Sequence, residues 1–78
     1  MITGVQIRTA RAALGWSVAK LATASCVSAR TINRIEAESA DFNTTPGNLK
    51  LIRETLETAG VEFIGAPGAG PGVRLWAK

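Results

Sequence analysis

The sequence predicts a mainly α fold: four helices followed by a C-terminal two-stranded β-hairpin. Three observations predict it. Three helix starts share one capping pattern, in which an apolar residue, a Ser or Thr, and a second apolar residue recur at fixed spacing. A Thr45-Pro46 pair opens a fourth helical stretch. Two apolar tail segments flank a run of glycine and proline.

The first start is Ile2-Thr3 leading to Ile7. The second is Trp16-Ser17 leading to Leu21, and the third Val27-Ser28 leading to Ile32. In each, the hydroxyl can accept from backbone N–H groups that the first turn leaves without partners. The apolar pair sits where side chains clasp across a helix start, the hydrophobic staple. Thr3 with Gln6 also fits a capping box. The first helix is expected from Gly4 to Leu14, ending at Gly15. The second is expected from Val18 to Ala24 and the third from Ala29 to Ala37. Only Ser25 to Ser28 separate these two, so they must cross steeply, which is the helix-turn-helix arrangement, here spanning about residues 17–37.

Glu38 to Thr44 reads as a loop, with Phe42 folded back as a plug. Thr45 then caps a fourth helix with Pro46 at its first position, where the missing N–H costs nothing. Leu49, Ile52, Leu56 and Ala59 recur at helical spacing as its buried stripe, and Gly60 ends it. Val61 to Ile64 and Val73 to Trp76 read as short strands joined by the Gly- and Pro-rich stretch from Gly65 to Gly72. A two-stranded ribbon is marginal alone and needs cover from the helices, a second subunit, or both. Phe63 and Leu75 are expected to face the chain's own helices.

With 78 residues the chain makes one domain: residues 1–60 as the helical part and 61–78 as a hairpin belonging to it. Charge is unevenly spread. Up to Ile35 it holds Arg8, Arg11, Lys20, Arg30 and Arg34 and no acid, a sum of +5. From Glu36 onward, four basic residues face six acids, a sum of −2. A polyanion partner for the first part and a solvated surface of uneven charge both fit this. Cys26 is the single cysteine and His is absent, so no disulfide within the chain and no His-based triad or metal site is available. Neither a signal-peptide pattern at the N-terminus nor a spanning apolar stretch is present. A cytoplasmic protein without membrane contact, metal or cofactor is expected.

The run S-V-A-K-L-A-T-A-S-C-V-S-A-R-T-I-N-R-I-E, Ser17 to Glu36, resembles the helix-turn-helix of the phage Cro and repressor family, also called the Xre family. The T-P start, the L-E-T-A-G-V-E-F-I junction and the G-V-R-L ending extend the resemblance over nearly the whole chain. It implies a lambda-repressor-like domain acting as a DNA-binding transcriptional regulator, expected to be a repressor. Leu21 and Ala22 match the core Leu-Ala of the second helix, and Ala22 is small enough to let the third helix approach. Val27, Ile32 and the Ile35-Glu36 pair match core and closing positions of the third helix. Arg11 matches a basic position that in some relatives pairs with that Glu, which implies a structural ion pair between Arg11 and Glu36. Two positions depart from the pattern. Val18 stands where the family commonly has Gln, and Cys26 where it commonly has Gly in the turn. At Cys26 a left-handed turn would carry strain.

In this fold the third helix enters the major groove of double-stranded DNA N-terminus first. Ala29, Arg30, Asn33 and Arg34 are then free to face the bases, since Ile32 and Ile35 point inward. Arg can hold guanine bidentately, Asn can hold adenine, and Ala can touch a thymine methyl. Ser28 and Thr31 suit phosphate, with Ser17, Lys20 and Arg8 as supporting contacts. A plain solvated helix face is the competing account of the same charges. A protein-interaction module of the antitoxin kind, with the same fold, is the alternative function. No nucleophile–base pair or paired carboxylates point to an enzyme. A homodimer is expected, because one recognition helix reads too few base pairs to be selective. The fourth helix and the C-terminal strands, with Trp76 at their end, are the two surfaces available for it, and the strands are the preferred one.

Overall fold

The computed structural model describes residues 2–37, 46–65 and 68–76. Its elements run α1 (Gly4–Leu14), α2 (Val18–Ser25), α3 (Ala29–Glu36), α4 (Pro46–Thr58), β1 (Val61–Ile64) and β2 (Gly72–Leu75). The expected loop from Glu38 to Thr44, with its Phe42 plug, and the Thr45 cap lie outside the described residues.

The shared capping pattern acts as its chemistry requires. The Thr3 hydroxyl accepts from the Gln6 N–H at 3.2 Å, and the Gln6 side chain accepts from the Thr3 N–H at 2.9 Å, closing a capping box. Ser17 accepts from the Lys20 N–H at 3.0 Å, and Ser28 from the Thr31 N–H at 3.2 Å. The clasping apolar residues beside these caps are core. Ile2, Ile7, Leu21, Val27 and Ile32 are buried, and Trp16 packs against them. Capping and burial therefore use adjacent residues, which fixes both where each helix begins and which face it turns inward.

The helix ends differ from expectation by a residue. α2 runs through Ser25, whose hydroxyl, buried, accepts from the Val27 N–H at 3.3 Å and shapes the turn. α3 ends at Glu36, with the Ala37 N–H closing onto the Asn33 carbonyl. Between them Cys26 sits in the left-handed region with φ 62°, its N–H donating to the Ala22 carbonyl at 3.0 Å. A side chain with a Cβ is strained there, and Gly is not.

On α4, Ile52 and Leu56 are buried and Leu49 packs beside them, so these three residues of the expected stripe are consumed by the chain's own core, while Ala59 is half-buried outside it. β1 and β2 pair antiparallel with Val61 opposite Leu75 and Ile64 opposite Gly72. The second strand thus spans Gly72–Leu75 rather than Val73–Trp76, because four residues of β1 set the ladder and Trp76 falls opposite Gly60, donating its N–H to that carbonyl at 2.8 Å. At the other end Gly65 turns with φ +79°, and a Cβ there would lie 2.6 Å from the Gly70 oxygen.

One expectation about the hairpin is met in facing but not in burial. Leu75 shares the face of Val61, Phe63 and Val73, yet it is 44% exposed. The register sets it at the open end of the ribbon, where its partner Val61 takes the buried position. Phe63 and Val73, themselves a register pair, make the packing contact instead. The hairpin is tied down by a residue whose second role the sequence did not disclose. The Gln6 amide, already in the capping box, donates to the Ile64 carbonyl at 3.1 Å and to the Gly72 carbonyl at 2.9 Å. Gln6 is 2% exposed, and it satisfies two strand ends that α1 would otherwise cover without partners.

Replacing Cys26 by Gly removes the left-handed strain without touching the core, since Cys26 is exposed. The variant is expected to gain about 1 kcal/mol in urea denaturation. Unchanged or lower stability would mean that the Cys26 side chain makes up for its backbone.

Candidate nucleic-acid interface

α3 owes its orientation to two isoleucines and a glutamate. Ile32 and Ile35 are buried in the core, one helical turn apart, and Glu36 is buried beside them. The opposite face is thereby turned to solvent, and Ala29, Arg30, Asn33 and Arg34 are all exposed on it. The structure so brings together the four residues the sequence nominated for base contact. Ser28 is exposed at the helix start, and its hydroxyl both caps the helix and donates to the Thr31 hydroxyl at 2.9 Å. Thr31 is half-buried. The first turn of α3 holds no acidic side chain, so nothing opposes an anion at its positive end.

The supporting residues sit on neighbouring elements. Ser17, exposed, caps α2. Lys20 lies one turn later with its ammonium 5.5 Å from the centre of the Trp16 ring, which confines an otherwise free side chain. Val18, in the place of the family's Gln, is half-buried and packs on the core. The departure therefore exchanges a polar surface contact for apolar packing. Arg8 is exposed and donates to the Glu36 carbonyl at 3.4 Å. That places it at the C-terminal end of α3, about 12 Å along the helix from Ser28. No local pattern of residues signals this contact.

Arg11 and Glu36 hold the two ends of this arrangement together. The Arg11 Nε and Nη2 groups donate to the two Glu36 carboxylate oxygens, each at 2.7 Å. Its Nη1 donates to the Trp16 carbonyl at 3.0 Å. One guanidinium thus joins α1, the end of α3 and the link before α2. The hydrogen bonds to Glu36 raise the Arg11 pKa above the usual arginine value, against the effect of burial and with added help from the carboxylate charge. Because the folded pKa is raised, Arg11's contribution is fully present below the ordinary arginine range and is lost only at more alkaline pH.

Among the described residues no helix is long and apolar enough to cross a membrane. A family model described as helix-turn-helix matches residues 7–63, well over half of the chain. No curated protein sequence matches it.

Arg11→Met is expected to cost about 3 kcal/mol of folding stability, because it strands a buried carboxylate. Urea denaturation measures this. Normal stability with loss of DNA binding would instead make Arg11 a DNA contact.

Proposed function

The chain belongs to the helix-turn-helix family of the Xre and lambda-repressor type, which binds DNA, and from that premise we propose that it is a sequence-specific transcriptional regulator acting as a repressor. The observation that carries the reading is the exposed row on α3. Arg30, Asn33 and Arg34 stand with the small Ala29 on one outward face of a helix whose inward face is fully committed to the core. That helix, entering the major groove by its N-terminal end, sets two base-reading residue types where bidentate contacts form: Arg30 for guanine and Asn33 for adenine. Arg34 contributes to the same row. Ser28 and Thr31, at the helix start, position the protein against the phosphate backbone, as do Ser17 and the Trp16-steered Lys20. Arg8, with one donor engaged by the Glu36 carbonyl, offers its remaining N–H groups to phosphate.

Repression follows from occupancy: a regulator bound across a promoter excludes other proteins from it. The active form is a homodimer. Two copies related by a twofold axis read a palindromic site with half-sites about one DNA turn apart, which gives the length of sequence a single α3 lacks.

Arg30→Ala and Asn33→Ala should each weaken binding to the preferred site by about 1–3 kcal/mol while leaving binding to arbitrary DNA nearly unchanged. Lys20→Ala and Arg8→Ala should weaken all sequences alike and flatten the salt dependence. Titration of labelled duplexes at two salt concentrations separates the classes. Identical behaviour of both sets would overturn the division between base-reading and phosphate contacts.

A further inference from the structure

α4 turns Ile52 and Leu56 into the core. Beside that stripe, Pro46, Leu49, Lys50 and Arg53 recur at helical spacing and stand along one side of the helix. Together with Ile2, which clasps the start of α1, they line a concavity of about 250 Å³. Three of these residues are apolar, and the two charged ones are both cations. Among the described residues no acid lines it. The larger groove between α2 and α4 lacks this pairing of apolar lining with positive charge, since the one charged residue that lines it is Glu54.

The two cations retain donors for a ligand. Arg53 meets Glu57 through Nε alone, at 3.1 Å, and its two terminal nitrogens have no hydrogen-bond partner among the described residues. Those nitrogens form a planar fork that matches a carboxylate. Lys50 lies 3.9 Å from Glu54, too far for a hydrogen bond, and such exposed pairs hold a side chain only weakly. Each cation is thus shared with a glutamate of its own helix. The charge left over suits a single carboxylate rather than a doubly charged phosphate, whose second charge would add to that of the two glutamates.

We propose that this concavity binds a small amphipathic carboxylate. The apolar body of the ligand lies on Ile2, Pro46 and Leu49, and its carboxylate takes the terminal nitrogens of Arg53 with the Lys50 ammonium beside them. An apolar body supplies most of the contact, and a few placed polar groups orient it, as in small-molecule sites generally. The size sets the class. A cavity of about 150 Å³ takes a benzene ring, so the larger volume here takes a ring with a short aliphatic arm. Ala29, Arg30, Asn33 and Arg34 do not line the concavity, so the carboxylate and DNA use separate side chains. The ligand joins the start of α1 to the start of α4 and is bound in addition to DNA.

Titration of the full chain with 3-phenylpropionate, followed by amide-resolved NMR, tests it. Shifts are expected at Ile2, Leu49, Lys50 and Arg53, with a dissociation constant on the order of 1 mM, the level a ligand of this size reaches on an open site. The neutral amide of the same acid, and acetate, which lacks the apolar body, are each expected to bind about tenfold more weakly. A variant carrying Lys50→Gln with Arg53→Gln is expected to lose the same factor for the acid and to melt as the parent chain does, since both side chains are exposed. Leu51→Ser, in the larger groove, is expected to leave binding unchanged. Absence of shifts up to about 10 mM, or shifts confined to the Leu51 groove, would overturn the site. Equal binding of acid and amide, or full binding by the Lys50 and Arg53 double variant, would overturn the role of the two cations and with it the carboxylate.

Discussion

The bidentate contact between Arg11 and Glu36 is the interaction on which the working surface of this protein depends. α3 is eight residues long, too short to persist as a helix by itself. Its inward face supplies two isoleucines to the core, and its last residue is a glutamate drawn below the surface. A buried carboxylate is costly unless its charge and its lone pairs are met. Arg11 meets both oxygens, and its third contact, to the Trp16 carbonyl, ties the start of α2 to the same point. The angle between the two helices of the motif is thus referred to α1, and the outward row on α3 inherits that angle.

The remaining architecture repeats this economy, in which one side chain serves two elements. Gln6 closes the capping box of α1 and holds the two strand ends of the hairpin. Ser25 ends α2 and shapes the turn into α3. Each of these polar groups is buried, and each has its partners. In a core built on so few large apolar residues, such shared contacts fix the relative placement of elements that apolar packing alone leaves loose.

What the sequence disclosed and what it withheld divide along a physical line. Caps, staples and inward-facing isoleucines are local patterns, so the starts of α1, α2 and α3 and the exposed row of Ala29, Arg30, Asn33 and Arg34 could be read from spacing. The Arg11–Glu36 contact was reached through the family resemblance, because twenty-five residues separate its partners and no local rule joins them. Contacts of the same long range without such a pattern stayed hidden: Gln6 to the hairpin across nearly the whole chain, and Arg8 to the end of α3. The exposure of Leu75 stayed hidden for a related reason. Alternation along a strand gives the face a residue shares, but burial at a ribbon end depends on where the neighbouring helix stops. Leu51 reads as one more apolar residue of α4 until Ile52 and Leu56 are seen to fill the core without it.

We propose that the outward row of α3 reads DNA sequence. Selection of duplexes bound by the full chain from a random pool tests it most directly. Enrichment is expected of a short motif containing guanine and adenine contacts for Arg30 and Asn33, recurring as an inverted repeat with half-sites about one helical turn apart. A bound pool with the composition of the starting pool, held only through salt-sensitive contacts to phosphate, would contradict it.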